Sequence, residues 1–295
     1  MEFSEPLNSK LVVVPKGNRF ISATPSCFFE WISIYGYVGI RVLNLRSVVD
    51  GVNEMGLSCG ILTMDETIYQ PVTGVAISIM DVCSWLLGSF SNVIDAVTAL
   101  QKVQIWGSKI ESLGRTIGLH IVMHDSLGAN VVCEILGSHN ITIHNTNGVV
   151  TNGPPYPEQL RILDEYRNGS MIDNKQCSQQ WSSITRFIKL SELKRMTVPE
   201  PLDSAGIANH IMHLFNNVDI VKGVSPSERP TGIIYEKTQW CFVKDLTNRI
   251  IYYRSYNDMT LRRLNLKDID FSGLTTYTEI DIDSTTPTII DIKVQ

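Results

Sequence analysis

Basic residues are too few in this chain to serve a polyanion: 25 Lys and Arg stand against 30 Asp and Glu, a net charge of −5. No Arg- or Lys-rich stripe with interleaved aromatics occurs either. Binding nucleic acid requires a concentrated positive excess to displace counterions from phosphates, so nucleic acid is not an expected partner. Long apolar runs are missing as well. The longest, Val75 to Phe90, is broken by Ser78, Asp81, Ser84 and Ser89, too short and too polar to cross a bilayer; it reads as a buried helix, and no membrane partner is expected. No basic n-region followed by an apolar h-region opens the chain, so as given it carries no secretory signal and reads as cytoplasmic. The six cysteines, Cys27, Cys59, Cys83, Cys133, Cys177 and Cys241, include no CxxC and no close pair. That argues against a zinc site and against a disulfide framework, and most read as small buried hydrophobes.

With 43% hydrophobic and 19% charged residues over 295 positions, the chain is long and apolar enough to bury a large core. Leu11 to Pro15, Tyr37 to Leu43 and Leu57 to Met64 have the β-branched content and Gly, Pro or Asn borders of strands. Two helices follow, Ile77 to Leu87 and then Ser91 to Val103, the second with a Ser cap and apolar residues at Val93, Ile94, Val97 and Leu100. Leu119 to Met123, Val131 to Leu136, Ile141 to His144 and Val149 to Thr151, separated by turn sequences, predict an antiparallel meander. Helices are expected at Pro157 to Tyr166, at about Ser182 to Lys194, and at Asp203 to Phe215 behind a capping Asp203. Strands return at Gly232 to Tyr235, Trp240 to Lys244, Ile250 to Tyr256, Thr260 to Leu264 and Tyr277 to Ile282. Strands and helices in blocks, not alternating βαβ units, predict an α+β fold of two packed antiparallel sheets covered outside by helices. With no internal repeat and no low-complexity linker, residues 1–295 read as a single domain.

Among polar residues, Asn152 stands out in Val149-Val150-Thr151-Asn152-Gly153-Pro154-Pro155. A β-branched run stops at an amide and then meets three residues that cannot continue it, so the side chain is expected to be fixed at a strand end. A fixed amide N–H there suits an oxyanion hole; a turn Asn bonding its own backbone is the other reading. His210 and His213 sit three apart on a helix, and His120 and His124 share a strand face before Asp125, but neither pair has a third ligand at motif spacing, so no metal is expected. Glu279 to Asp283 alternates acidic residues with Ile as a half-exposed strand does and lacks an EF-hand's glycine and spacing.

Four segments then occur in a telling order: Val52-Asn53-Glu54-Met55-Gly56-Leu57, Val150-Thr151-Asn152-Gly153-Pro154, Thr185-Arg186-Phe187-Ile188-Lys189 and Thr238-Gln239-Trp240. In order and rough spacing the chain resembles the choloylglycine hydrolase and penicillin V acylase family of N-terminal nucleophile hydrolases over nearly its whole length. Met1-Glu2-Phe3 looks like the end of the family's Gly-Arg-x-Met-Glu/Asp-aromatic segment. The resemblance implies a four-layer αββα sandwich and hydrolysis of a linear amide C–N bond without metal or organic cofactor. The thiol of an N-terminal Cys would attack, with its own α-amino group as base, a workable pairing because both groups titrate near ~8. It further implies Asn152 as oxyanion donor, Arg186 as the cation beside the nucleophile, Glu2 as the carboxylate orienting the α-amino group, and Thr63 at a substrate-binding position. Most of the family carries Asp where Glu2 stands, and bile-salt hydrolases carry Asn where Thr63 stands, which removes a clue to substrate class.

The front of the chain departs from the family pattern. The nucleophilic Cys and a nearby Arg should lie about one strand and turn ahead of Glu2, and the sequence opens at Met1. Cys27 cannot replace it, since an internal Cys has no free α-amino group. The expected account is that an N-terminal strand is missing from the sequence as given, because a core strand's absence would leave backbone groups unpaired at a cost a fold can hardly bear. A signal peptide on that missing stretch would make the protein periplasmic or secreted. The first expectation is therefore an amide hydrolase acting on an apolar acyl or steroid body joined to a small polar leaving group, with bile salts, penicillin V and N-acyl lactone signals all open as substrates. The alternative is a non-catalytic homologue that binds such small molecules. The segment between Asn152 and Arg186 is short beside those relatives that assemble tetramers through a long loop there, which argues against that route and leaves another homo-oligomer open.

Overall fold

The computed structural model describes residues 1–137, 141–169, 181–198, 202–229, 232–282 and 287–289. Its framework is an eight-stranded antiparallel sheet in the spatial order Thr142–Asn145, Asn130–Glu134, Leu119–His124, Ser58–Thr63, Asp50–Asn53, Tyr37–Arg41, Lys10–Val14, Thr278–Asp281. Neighbours in sequence are mostly neighbours in space, as short turns dictate, and the C-terminal strand closes the edge at Lys10–Val14. A smaller sheet joins Trp240–Asp245, Ile250–Ser255 and Arg262–Asn265, while Glu2–Phe3 pairs with Lys237–Thr238 just ahead of it.

Alternation along the strands sorts the layers. Cys59, Ile61, Ile121, Met123 and Cys133 share the main core with helices α1 (Val82–Ser89) and α2 (Val93–Leu100), and α1 lies against the strands Asp50–Asn53 and Ser58–Thr63. On the opposite face, which also looks onto the small sheet, Val122 and Val132 pack against α3 (Tyr156–Arg167) and α4 (Ser183–Met196) through Tyr156, Ile162, Leu163, Ile184, Phe187 and Ile188. In the small sheet Trp240, Ile251 and Tyr253 turn inward to the main core. Cys241, Val243 and Tyr252 turn outward to Ala208 and Met212 of α5 (Ser204–Asn216). The result is helices, sheet, sheet, helix: an α+β arrangement in four layers.

Helix starts follow the sequence closely. Ser182 Oγ accepts from Thr185 N at 3.1 Å and Asp203 Oδ1 from Gly206 N at 2.8 Å, each satisfying an open N–H of the first turn. Two expectations are corrected. Ile77 to Leu87 is not one helix: Ala76–Ser78 is a strand, Ile79–Asp81 a 3₁₀ turn, and the α-helix starts at Val82, because a run buried along nearly its whole length carries no period to separate the two conformations. Val149 to Thr151 forms no strand; side chains, not a partner strand, hold its backbone. The hairpin Arg19–Ala23 with Phe28–Ile32 and the strand Asp50–Asn53 were not anticipated. Cys177 and part of the expected turn at 137–140 lie outside the described residues.

Asn53 shows how one motif residue fastens layers together. Fully buried, it donates from Nδ2 to Leu87 O (2.8 Å) and Phe90 O (2.7 Å) at the end of α1, and accepts at Oδ1 from Met55 N (3.1 Å) and Leu57 N (3.0 Å) of its own turn. The turn closes tightly at Gly56, where φ is +88° and an added Cβ would lie 2.6 Å from Leu246 O. Replacing Asn53 by Ala orphans all four groups at once, so the Asn53→Ala protein is expected to lose roughly 3 kcal/mol of stability. Urea denaturation would read this as a lower midpoint at unchanged slope; a loss below about 1 kcal/mol would show that water replaces the amide.

Candidate active site

Between the two sheets lies a cavity of about 410 Å³ whose wall includes Glu2, Thr63, Asn152 and Arg186 together with apolar Leu62, Ile117, Leu119, Val122, Trp240 and Phe242. Residues as far apart in the sequence as Glu2 and Trp240 meet here.

Asn152 reaches it on an irregular segment whose backbone is heavily bonded. Its carbonyl oxygen accepts from Gln159 Nε2 at 3.0 Å and from Ser183 Oγ at 2.6 Å. Gln159 Nε2 also donates to Pro154 O at 2.8 Å, and the next residue, Gly153, donates from N to Thr63 O at 2.8 Å. Gln159 is completely buried in α3 and Ser183 opens α4, so two helices and a strand end grip this one loop. The Asn152 side-chain amide takes no part: among the described residues none bonds it, including its own backbone. Gln159 and Ser183 were missed in the sequence. The available signal was Gln159 itself, a polar residue between Tyr156 and Ile162 on the buried stripe of α3.

Arg186 and Glu2 form the charged part of the wall. Arg186 Nη1 donates to Glu2 Oε2 at 2.8 Å, and Arg186 is buried with its Nε unbonded among the described residues. Glu2 Oε1 stands 3.4 Å from the Met1 ammonium nitrogen, which donates to Trp240 O at 2.9 Å. Burial pushes the Glu2 carboxyl up, but the neighbouring ammonium and the Arg186 guanidinium outweigh it and hold the pKa down at about 2. Glu2 is therefore ionised throughout the neutral range.

A second polar group ties the sheets together at the other end of the strand Ser58–Thr63. Lys244 of the small sheet pairs with Asp50 of the large one and donates to Ser58 Oγ at 3.1 Å. Thr63 and Ser58 are about 17 Å apart at strand rise, so this tie is distant from Asn152. Burial and the Lys244 charge push the nearby His124 pKa down.

No described cysteine is a ready nucleophile. Cys59, Cys83 and Cys133 are enclosed in the core, where burial pushes the Cys59 and Cys133 thiols up. Cys241 borders the cavity, but its side chain packs in the layer facing α5 and burial pushes it up to about 11. Cys27 is tied to Thr24, its Sγ 3.0 Å from Thr24 Oγ1. Among the described residues no group of three or more His, Cys, Asp or Glu is placed to hold a metal ion, His210 with His213 and His120 with His124 included, and no helix is long and apolar enough to cross a membrane.

Known proteins share this architecture. The chain is 24% identical over 298 residues to penicillin V acylase of Pectobacterium atrosepticum, covering 92% of this chain and 77% of the relative. It is 22% identical over 304 residues to a bile salt hydrolase/transferase of Clostridium perfringens, covering 94% and 91%. A variant of conjugated bile acid hydrolase from Clostridium perfringens superposes with a TM-score of 0.81 at 20% identity over 99% of this chain and 94% of that one. Penicillin V acylase from Agrobacterium tumefaciens superposes with a TM-score of 0.79 at 21% identity over 95% and 86%. These likenesses identify the four layers as the N-terminal nucleophile hydrolase fold. The family model of linear amide C–N hydrolases, choloylglycine hydrolase family, matches residues 1–286, and the chain belongs to that family.

Proposed function

We propose that the protein, acting as one unit over residues 1–295, hydrolyses a linear amide joining an apolar acyl body to a small polar amine, using the thiol of an N-terminal Cys that lies ahead of Met1. The observation that carries this reading is the convergence of Glu2, Arg186, Asn152 and Thr63 on one largely apolar cavity.

Each residue then has a physical task. The α-amino group of the Cys takes the thiol proton, and the thiolate forms a C–S bond to the amide carbonyl carbon. The negative charge that develops on oxygen is met by the unbonded Asn152 amide, with the Thr63 N–H as a second donor. The tetrahedral intermediate collapses, the C–N bond breaks, and the leaving amine takes its proton from the α-ammonium. Water, deprotonated by the same amine, cleaves the thioester and returns the thiol. Arg186 supplies fixed positive charge that favours thiolate over thiol. Glu2, paired with Arg186 at 2.8 Å, would hold the α-ammonium of the nucleophile.

The small sheet supports the placement of the upstream segment. Met1 N donates to Trp240 O and Gln239 N to Met1 O. Trp240–Asp245 is the edge of its three-stranded sheet. Carried backward, the same antiparallel pairing lays the residues before Met1 along that edge, and a strand returning antiparallel to them begins beside Glu2. The apolar wall suits an acyl or steroid group, the chemistry named for the bile salt and penicillin V relatives, and an N-acyl lactone fits the same wall.

The decisive measurement is the N-terminal sequence of the mature protein from its natural source, paired with amine release from glycine- and taurine-conjugated bile salts, penicillin V and N-acyl homoserine lactones. A chain that begins at Cys and releases amine is expected. A mature chain that begins at Met1 and binds these compounds without cleaving them would replace the hydrolase reading with that of a small-molecule binding protein. In the mature protein, Asn152→Ala is expected to lower kcat by roughly 10²-fold or more with the circular dichroism spectrum unchanged; an unaltered kcat would remove Asn152 from the oxyanion hole.

A further inference from the structure

One buried carboxyl group has no part in the chemistry above. Glu134 ends the strand Asn130–Glu134, fully enclosed, one position on from the Cys133–Ile121 pair of the ladder and on the face that carries Val122 and Val132. Its Oε1 accepts from Tyr156 N at 2.6 Å. Tyr156 is the first residue of α3, and the Pro155 before it offers no side-chain acceptor to the helix's open N–H groups. Glu134 supplies one from another element.

The surroundings give that carboxylate little else. His120 Nδ1 is 3.7 Å from Oε1 and His144 Nε2 is 3.6 Å from Oε2, both too long for hydrogen bonds. Oε2 and both His120 ring nitrogens have no hydrogen-bond partner among the described residues. Enclosing a carboxylate with so few partners is costly, so the bond to Tyr156 N is its principal compensation. Between Tyr156 and Asn152 stand Gly153, Pro154 and Pro155. The prolines fix φ at two of three intervening residues, so a shift at Tyr156 N is carried to Asn152 and is not absorbed between them.

We propose that Glu134 is a positioning residue for Asn152: through the Tyr156 N–H it fixes the segment that aims the Asn152 amide into the cavity. The proposal rests on the reading of Asn152 as oxyanion donor, and its test separates the two. Backbone hydrogen exchange over residues 149–160, and kcat and KM of the mature protein, are compared for wild type, Glu134→Ala and Glu134→Gln. Gln keeps an oxygen for the Tyr156 N–H. Ala is expected to raise exchange over 149–160 roughly tenfold or more while residues 37–63 keep wild-type protection. Ala should also lower kcat about tenfold or more with KM within about twofold, and Gln should restore both measures to within about threefold. Wild-type exchange in Glu134→Ala overturns the proposal, and so does raised exchange with unchanged kcat. If the wild-type protein cleaves no amide, the oxyanion reading fails on its own, and the exchange comparison alone decides whether Glu134 fixes the segment. Should Glu134→Ala fail to fold, Glu134→Asp, which withdraws the carboxylate by one methylene, gives the same comparison.

Discussion

A carboxylate and a guanidinium sharing one water-poor corner of the cleft constrain everything around them. Glu2 and Arg186 meet at 2.8 Å between the first residues of the chain and the first turn of α4. Stripping water from such charges costs several kcal/mol per ion, and removing one partner leaves the other uncompensated at a cost of about 3–5 kcal/mol. The pair is therefore held by its own burial. Glu2 lies within 3.5 Å of Thr238 Oγ1, which in turn accepts from Ile220 N at 2.9 Å, so the N-terminal segment, α4 and the approach to the small sheet are locked together at one point. The apolar walls beside them cannot close over this corner without drying the charges further, which opposes the collapse that packed interiors otherwise favour.

Within that corner the Asn152 segment solves a different problem. A loop that is neither helix nor strand must satisfy its backbone by other means. Gln159 and Ser183 take up the Asn152 carbonyl oxygen and Thr63 takes the Gly153 N–H. Because buried side chains meet these backbone demands, the Asn152 amide is not drawn back onto its own turn, the fate that Asx chemistry would otherwise favour. Its freedom to donate outward is a product of polar residues placed on α3 and α4, and so of helix packing against Val122 and Val132.

How much of this is legible in the amino-acid sequence depends on whether the signal is local. β-branched runs and caps locate Lys10–Val14, Leu119–His124, α4 and α5 to within a few residues, because each ends at a recognisable turn or cap. The hairpin Arg19–Ala23 with Phe28–Ile32 escapes, since Ile21, Phe28 and Ile32 are exposed and blur the inside-outside pattern. The run at Ile77 to Leu87 is buried all along and so reads as a helix from its start. The convergence of Glu2, Thr63, Asn152 and Arg186 leaves no periodic trace; family resemblance, not pattern, gathers them. Asn53 stands in the most conspicuous motif of the chain, yet its four hydrogen bonds all go to backbone groups, so its part is in the fold and not at the cavity.

The distribution of thiols bears on where a nucleophile must stand. A sulfur attacks as thiolate, and a thiolate needs positive charge and some water nearby. The sheet and α1 surround Cys59 and Cys133, and burial pushes both away from ionisation. Cys241 lies nearer the charged corner, and the Met1 ammonium and Arg254 draw its thiol down, yet burial prevails and leaves it at about 11. What the interior withholds, the corner beside Arg186 provides: a guanidinium whose Nε is unbonded among the described residues, a carboxylate ionised down to about pH 2, and an unengaged amide. In the proposed reading the cation would favour a thiolate, the anion would hold the ammonium of the same residue, and the neutral donor would receive the oxyanion, three demands that belong together in a nucleophile that carries its own amine.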